Sequence, residues 1–217
     1  MARIVTFDIP NDELESVDDQ MFKVLGMSRD DVIEQFEDEY EDTRPIAFDR
    51  LECRGMVKYV QIESIDEGII KLEDGGEFYS EFLSDRLSCA DELALYIVSV
   101  FGGNELMKEA QDDMFATMFY NAWATGLSMS GHGWIKKQIA NDARERGKFS
   151  GRGWVPGDGQ VGLELFKTLV KIIDPSPIGV KLLETGMVSP IMSLCALMGI
   201  SDDPAIEEVG RDDIEIH

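Results

Sequence analysis

The residues best suited to hold a small ligand lie in a glycine-rich segment of the C-terminal third. This segment, Ser150 to Gly162, reads SGRGWVPGDGQVG and has five glycines in thirteen residues. Glycines let backbone N–H groups approach an anion or a flat ligand closely. The segment contains G-x-G-x-x-G, but the dinucleotide fingerprint requires a preceding buried strand, and Arg144 to Lys148 is typical of a basic helix end. Two interpretations stay open, a ligand loop and a mobile connection between elements.

Basic residues cluster around this segment, although the chain is strongly acidic. The cluster contains Arg144, Arg146, Lys148 and Arg152. A carboxylate or a phosphate could bind there. Cations also complement the C-terminal end of a helix, and this explains Arg144 and Arg146. Arg152 lies inside the glycine-rich segment and is therefore the stronger ligand candidate.

A few isolated side chains could add to such a site. Glu184, in the apolar stretch LLETGMVSP, could hold a ligand amine or act as a turn carboxylate. Trp154 could stack on a flat ligand, whereas Trp123 fits a core position better. His132, in SMSGHGWIKK, is interpreted as a loop residue between two helices rather than as a base.

The small number of histidines and the wide spacing of the cysteines exclude several kinds of site. The chain has two histidines and three widely spaced cysteines, Cys53, Cys89 and Cys195, with no C-x-x-C pair. A His-rich zinc or iron site, a disulfide framework and a Ser-His-Asp or Cys-His constellation are therefore not expected. The eleven methionines are interpreted as core residues. Unpaired cysteines indicate a reducing compartment.

The charge balance limits the classes of partner. Among 217 residues, 43 are acidic and 20 are basic, which gives a formal net charge of −23. So acidic a surface repels phosphate backbones and anionic lipid heads, and we expect neither nucleic-acid nor membrane binding. The N-terminus has no apolar signal core, and no apolar run approaches the length of a membrane span. These features predict a cytoplasmic location.

The hydrophobic pattern places strands early and helices late. The first half is predicted to contain strands at Arg3–Ile9, Met56–Ile62 and Ile69–Leu72, and helices at Asp18–Gly26 and from Ser28 to Arg44-Pro45. The second half is predicted to contain helices at Cys89–Phe101, from Asn104 to about Trp123, at Trp134–Arg146 and at Leu163–Ile173, and a strand at Ile178–Leu183. Strands and helices segregated in this way predict an α+β fold with an antiparallel sheet. We expect one module over residues 1–200 and an acidic, mobile tail over residues 201–217.

The stretch from Ile178 to Ile200 resembles a known family. Its sequence, IGVKLLETGMVSPIMSLCALMGI, is similar to the closing motif of the activation domain of vitamin B12-dependent (cobalamin-dependent) methionine synthase, particularly in stand-alone proteins of that family. The family pattern runs approximately I-G-V-x-L-T-E-S-x-M-M-x-P-x-x-S-x-S-x-x-x-G-I. The residues in register without a gap are Ile178, Gly179, Val180, Leu182, Glu184, Met187, Pro190, Ser193, Gly199 and Ile200. Lys23–Met27 and the apolar segment Cys89–Gly102 also match, in the same order.

The resemblance implies a fold, a cofactor and partners. It implies a curved α+β module that binds S-adenosylmethionine (SAM) and presents its methyl group to cobalamin on a separate corrinoid protein or methionine synthase core. An electron donor would reduce the cobalt. The contribution of the module would be positioning, because the cofactors carry the reaction.

The family's SAM loop has an Arg followed by a Pro-Gly-Tyr turn, and its counterparts here are Arg152 and Pro156-Gly157. The spacing is one residue longer, and Asp158 stands in place of Tyr. The resemblance implies that Arg152 pairs the SAM carboxylate and that backbone groups near Val155 and Gly157 contact the ligand. Trp154, Pro156 and Asp158 belong to the same loop, and Glu184 would bind a polar group or brace the loop. A second alignment pairs Ser150-Gly151 with the family turn and places Lys148 at the Arg position.

Two further departures from the family pattern leave other functions open. The segment Ala124–Gly133 carries no acid where the family has a helix Glu, and Leu183 replaces the Thr of a Thr-Glu pair. The first hypothesis is a SAM-binding activation module. The second is a SAM-free docking or assembly subunit of a corrinoid methyltransferase system. A third is a binding module for a different small ligand.

Overall fold

The computed structural model describes residues 2–210 and consists of one main antiparallel sheet with helices on both faces. The main sheet has seven strands in the order β4-β3-β2-β5-β9-β6, and β1 also pairs with β2. These strands are β1 (Arg3–Ile9), β2 (Glu52–Asp66), β3 (Ile69–Leu72), β4 (Glu77–Tyr79), β5 (Glu92–Phe101), β6 (Phe149–Trp154) and β9 (Ser193–Ser201). A separate two-stranded hairpin is formed by β7 (Lys181–Leu182) and β8 (Val188–Ser189). The predicted α+β class and antiparallel pairing are confirmed.

The helices divide between the two faces of the sheet. They are α1 (Val17–Leu25), α2 (Arg29–Arg50), α3 (Glu81–Arg86), α4 (Gly103–Glu109), α5 (Met114–Glu145) and α6 (Leu165–Ile173), with short 3₁₀ turns at Asn11–Glu13, Ser176–Ile178 and Pro204–Glu207. One core lies between the sheet and α1, α2 and α5. A second core lies on the opposite face, beneath α3, α6 and the β3–β4 hairpin. Residues in the central strands therefore alternate between two buried environments.

The first strand, the start of α2 and the turn after β2 agree closely with the sequence pattern, whereas β2 extends four residues beyond the predicted strand Met56–Ile62 at each end. The first strand spans Arg3–Ile9 as predicted. Ser28 caps α2 through a capping box with Asp31. Glu67 and Gly68 both have positive φ and form the predicted turn between β2 and β3. Local side-chain chemistry is sufficient to specify these three features.

The prediction that α2 ends at Arg44-Pro45 is wrong. The helix passes through Pro45 and ends at Arg50, after a kink at Phe36. Pro45 is exposed, so the carbonyl of Glu41 that loses its helical partner can bond water. Thr43 and Ala47 on the opposite side are buried, and the indole N–H of Trp123 donates to Thr43 at 3.1 Å. Packing against α5 therefore outweighs the helix-breaking tendency of proline.

The predicted helix at Cys89–Phe101 is also wrong, because this segment forms β5, the central strand. Every residue of β5 from Glu92 to Val100 is buried. A continuous apolar run fits a strand covered on both faces as well as it fits a buried helix. The pairing of β5 with β2 and β9 settles the choice, and these partners are distant in sequence.

The helices predicted from Asn104 to about Trp123 and at Trp134–Arg146 are divided at a different position in the structure. The chain forms the short helix α4, breaks near Asp113, and then forms the single 32-residue helix α5. Asp113 caps α5 by accepting hydrogen bonds from Phe115 and Ala116. Gly131 and Gly133 lie inside α5, so His132 is a helix residue and not the predicted loop residue.

The C-terminal elements differ from prediction at two places. Only Lys181 and Leu182 of the predicted strand at Ile178–Leu183 form β7, because Ile178 ends a 3₁₀ turn and Gly179 has positive φ. The predicted mobile tail begins with a folded part: Ser201 ends β9, a 3₁₀ turn spans Pro204–Glu207, and Ile206 is 1% exposed. The rest of that prediction falls on residues 211–217, outside the described residues.

Candidate functional site

The first half of the glycine-rich segment is a strand, and this strand positions Arg152 and Trp154. β6 pairs with β9, and its register is irregular between Ser150 and Gly153, where the Gly151–Arg152 bulge lies. The segment was predicted to be a loop because five glycines obscure a strand pattern. The pairing with β9 supplies the backbone partners that the local sequence does not reveal.

Arg152 and Trp154 begin a continuous series of cation and aromatic contacts. The Arg152 guanidinium carbon lies 4.9 Å from the centroid of the Trp154 ring. Trp154 makes an edge-to-face contact with Phe82 at 5.3 Å, and the guanidinium of Arg86 lies 4.9 Å from the Phe82 centroid. Cations over aromatic rings are favourable and hold the guanidinium groups in place. The structure thus links β6 to α3.

A cleft opens where this series reaches α3. Its volume is ≈ 600 Å³, which is the size range of small-molecule sites. The lining residues are Tyr79, Ser80, Glu81, Phe82, Asp85, Arg86, Gln160, Gly162, Glu164 and Leu165. Three carboxylates and one guanidinium therefore surround a cavity that borders the glycine-rich segment. This charge pattern suits a ligand that has both cationic and anionic groups.

The turn after β6 satisfies several of its own backbone groups. The N–H of Gly157 donates to the carbonyl of Val161, and the N–H of Asp158 donates to the carbonyl of Val155. Gly157 and Gly159 have positive φ, which explains why the turn requires glycine. Because the Gly157 and Asp158 N–H groups already have partners, this part of the segment is not an open anion cradle.

The predicted site residues occupy different environments. Trp154 and Pro156 are buried, Gly157 and Asp158 are exposed, and Val155 packs toward the core that includes α5. Glu184 is exposed in the β7–β8 hairpin, whose turn is closed by hydrogen bonds between Leu183, Gly186 and Met187. Among residues 2–210, no hydrogen bond or ion pair joins Glu184 to Arg152 or to the turn after β6. The structure brings Arg152 and Trp154 together and leaves Glu184 outside their contacts.

Three residues near β6 were missed by the sequence analysis. Phe82 and Arg86 lie one helical turn apart on α3, a spacing that predicts contact between them but not with Trp154. Tyr96 is fully buried beneath β6, and a Cβ at Gly153 would come within 3.0 Å of its hydroxyl. Glycine is therefore needed at position 153 for β6 to approach Tyr96. Only the folded chain reveals this requirement.

The remaining titratable groups of residues 2–210 give no evidence of a metal or nucleophile site. Within the described part of the chain, no group of three or more His, Cys, Asp or Glu side chains could hold a metal ion. All three cysteines are free, and burial raises the pKa of Cys53 to about 12 and that of Cys195 further. No helix among residues 2–210 is both long enough and apolar enough to cross a membrane.

Comparisons with known proteins show a clear likeness in structure. No protein-family model matches this chain, and no curated protein matches it. A solved structure that it resembles is the crystal structure of the MetH reactivation domain bound to AdoHcy, with a TM-score of 0.71. The match covers 91% of this chain and 78% of that chain at 15% sequence identity. The resemblance predicted from the closing motif is thereby confirmed for the fold.

Proposed function

We propose that this chain is a stand-alone activation-type module that binds SAM or S-adenosylhomocysteine (AdoHcy). Its role would be to support reductive remethylation of cobalamin on a separate corrinoid protein. The observation that carries the proposal is the likeness in fold, over 91% of this chain, to a reactivation domain bound to AdoHcy. The closing motif Ile178–Ile200 supports it independently, because it comes from sequence alone.

The residues around β6 fit the charges of such a ligand. SAM has a carboxylate, an ammonium group and a sulfonium, whereas AdoHcy lacks the sulfonium charge. Arg152 would bind the carboxylate, and the acidic side chains Glu81, Asp85 and Glu164 would face the cationic groups from the cleft. Trp154 and Phe82 would form an apolar wall between these two charged regions.

The chain would contribute binding and orientation to the reaction. When bound, SAM would supply the methyl group and reduced cobalamin on the partner would accept it. The guanidinium of Arg152, steadied by its contact with Trp154, would fix one end of the ligand. The proposed partners are a corrinoid-binding protein or methionine synthase core and an electron donor. The proposed location is the cytoplasm.

Two features favour the second candidate function, a SAM-free docking or assembly subunit. The N–H groups of Gly157 and Asp158 already have backbone partners, and Glu184 lies apart from Arg152. A chain with this fold could keep its partner surface and lose the ligand. The same corrinoid protein would then be its partner.

A calorimetric titration with SAM and with AdoHcy separates the two functions. We expect saturable binding that Arg152→Ala weakens at least about 10-fold, because a charge-assisted contact is lost. The matched control is Arg144→Ala, which removes an exposed cation from the same basic cluster. Equal affinities of the Arg152 variant and the parent would refute the assignment of Arg152. If neither ligand binds but a corrinoid protein forms a complex, the chain is a docking subunit.

A further inference from the structure

The C-terminal segment Asp202–Gly210, called the C-terminal strap below, lies against β6. Its anchor is Ile206, which is 1% exposed and contacts the bulge of β6. A Cβ at Gly151 would come within 3.0 Å of both the Cγ1 and the backbone oxygen of Ile206. Near the start of the strap, Lys148 forms an ion pair with Asp202 at 3.2 Å. The strap therefore follows the strand that carries Arg152.

The end of the strap contacts Arg152 directly. The Nη1 atom of Arg152 donates a hydrogen bond to the carbonyl oxygen of Gly210 at 3.2 Å. Within residues 2–210, no carboxylate forms an ion pair with this guanidinium. A backbone carbonyl is a neutral acceptor, and a carboxylate at the same place would bind the guanidinium more strongly. The Gly210 carbonyl is therefore a hydrogen-bond partner of Arg152 that an anion can replace.

We propose that the C-terminal strap regulates access to Arg152. In the ligand-free chain the strap occupies the guanidinium, and an anionic group that binds there releases the end of the strap. For the ligand proposed above, this group is the amino-acid carboxylate. The inference rests on the proposed function, since that function places the carboxylate at Arg152.

The contacts of the strap suit a segment that opens and closes. The start of the strap is held by the ion pair of Asp202 with Lys148, just before β6, and by the Asp202 N–H, which donates to Asp91 at 3.0 Å. Ile206 packs on the bulge of β6, and near its end the strap meets Arg152 through a hydrogen bond to the neutral carbonyl of Gly210. An exposed ion pair adds little to the stability of the closed state. If the strap is closed in about 90–99% of molecules, the apparent ligand affinity falls about 10- to 100-fold below that of the open chain. Weakening the anchor would recover this factor.

Two variants weaken the strap in different ways. Ile206→Ser removes the apolar anchor, and Gly151→Ala adds a methyl group whose nearest neighbours are atoms of Ile206. Ile4→Ser is the matched control, because Ile4 is 52% exposed on β1, at a distant part of the sheet. The melting temperature of each variant establishes that it is folded. Gly151→Ala keeps the test valid if Ile206→Ser unfolds the chain.

Calorimetric titration of these variants with SAM and AdoHcy tests the regulation. We expect both strap variants to bind about 10-fold more tightly than the parent, and Ile4→Ser to bind as the parent does. Folded strap variants with parental affinity would overturn the proposal while leaving SAM binding intact. The result that would refute the proposed function therefore differs from the result that would refute its regulation by the strap.

Hydrogen exchange of the strap amides gives a readout that does not depend on SAM. We expect Arg152→Ala to speed exchange at residues 208–210 in the ligand-free chain, since the contact with Gly210 is lost. Saturating SAM, or inorganic phosphate as a second anionic probe, should speed the same amides in the parent. If no variant binds SAM or AdoHcy, the proposed function fails, and release by phosphate still supports the strap. Unchanged exchange with Arg152→Ala and with both probes overturns it.

Discussion

The imidazole of His132 stacks on the phenol ring of Tyr96, with ring centroids 5.4 Å apart and 26° between the ring planes. The hydroxyl of Tyr96 and the Nδ1 atom of His132 are both buried without a partner among the described residues. Burial, together with the nearby charge of Lys136, lowers the pKa of His132 to about 4. This pair connects α5 to the central strand beneath β6, so its protonation state bears on the stability of the region that carries the candidate site.

The stability of the chain should fall with acidity in a way that depends on His132. An unfolded His has a pKa near 6.5 and the folded one has a pKa of about 4, so protonation between these values favours unfolding. Neutral His132 therefore makes its full contribution to the free energy of unfolding above about pH 6.5, and this contribution is lost as the pH falls toward 4. We expect the parent to lose about 2 kcal/mol more than His132→Phe between pH 7 and pH 5. Urea unfolding of both chains at the two pH values measures this difference, and equal losses would contradict it.

Two glycines of α5 should respond in opposite directions to alanine. A Cβ at Gly126 would come 2.9 Å from the backbone oxygen of Val17, whereas a Cβ at Gly133 would meet nothing within 4 Å. Gly126→Ala should destabilise the chain by about 1–3 kcal/mol, because α1 must move away from α5. Gly133→Ala should stabilise it by about 0.5–1 kcal/mol through helix propensity. Thermal unfolding compares the two, and a shift of the same sign in both would refute the packing explanation.

The ion pair between Glu92 and Arg146 should be important for stability. Their side chains are 7% and 31% exposed, and the closest atoms are 2.7 Å apart. Glu92→Gln leaves the Nη1 atom of Arg146 with a weaker partner, whereas the ion pair of its Nε atom with Asp142 at 2.9 Å remains. The substitution should therefore cost about 1–2 kcal/mol. Arg144→Ala serves as the exposed control and should change stability by less than about 0.5 kcal/mol. Equilibrium unfolding in urea measures the free energy of unfolding of both variants. If Glu92→Gln lowers it no more than Arg144→Ala does, the pair contributes nothing to stability.

The three cysteines should differ in reactivity. Burial raises the pKa of Cys53 to about 12 and raises that of Cys195 further, and both thiols are buried. Cys89 is partly exposed, and its pKa is raised to a smaller extent. A thiol reagent should therefore modify Cys89 alone in the native chain and all three cysteines after denaturation. Mass spectrometry of the labelled peptides identifies the sites, and fast native labelling of Cys53 would contradict the buried core.

Local signals in the sequence determined several features that the structure confirms. Alternation specified β1, capping chemistry specified the start of α2, and the turn residues after Asp66 specified the β2–β3 hairpin. The ungapped motif from Ile178 to Ile200 indicated a fold that the structural likeness confirms. Each of these signals depends on residues close together in the chain, so the sequence alone can express them.

Only the tertiary structure decided the features that depend on distant partners. Residues 92–101 became a strand because β2 and β9 pair with it, and α2 continued through Pro45 because Thr43 and Ala47 pack on its buried side. The candidate site depends on the same kind of contact. Arg152 meets Trp154 locally, but Phe82 and Gly210 reach them from distant parts of the chain. The sequence identified the cation and the indole, whereas folding determined which groups surround them, because burial and pairing act through space rather than along the chain.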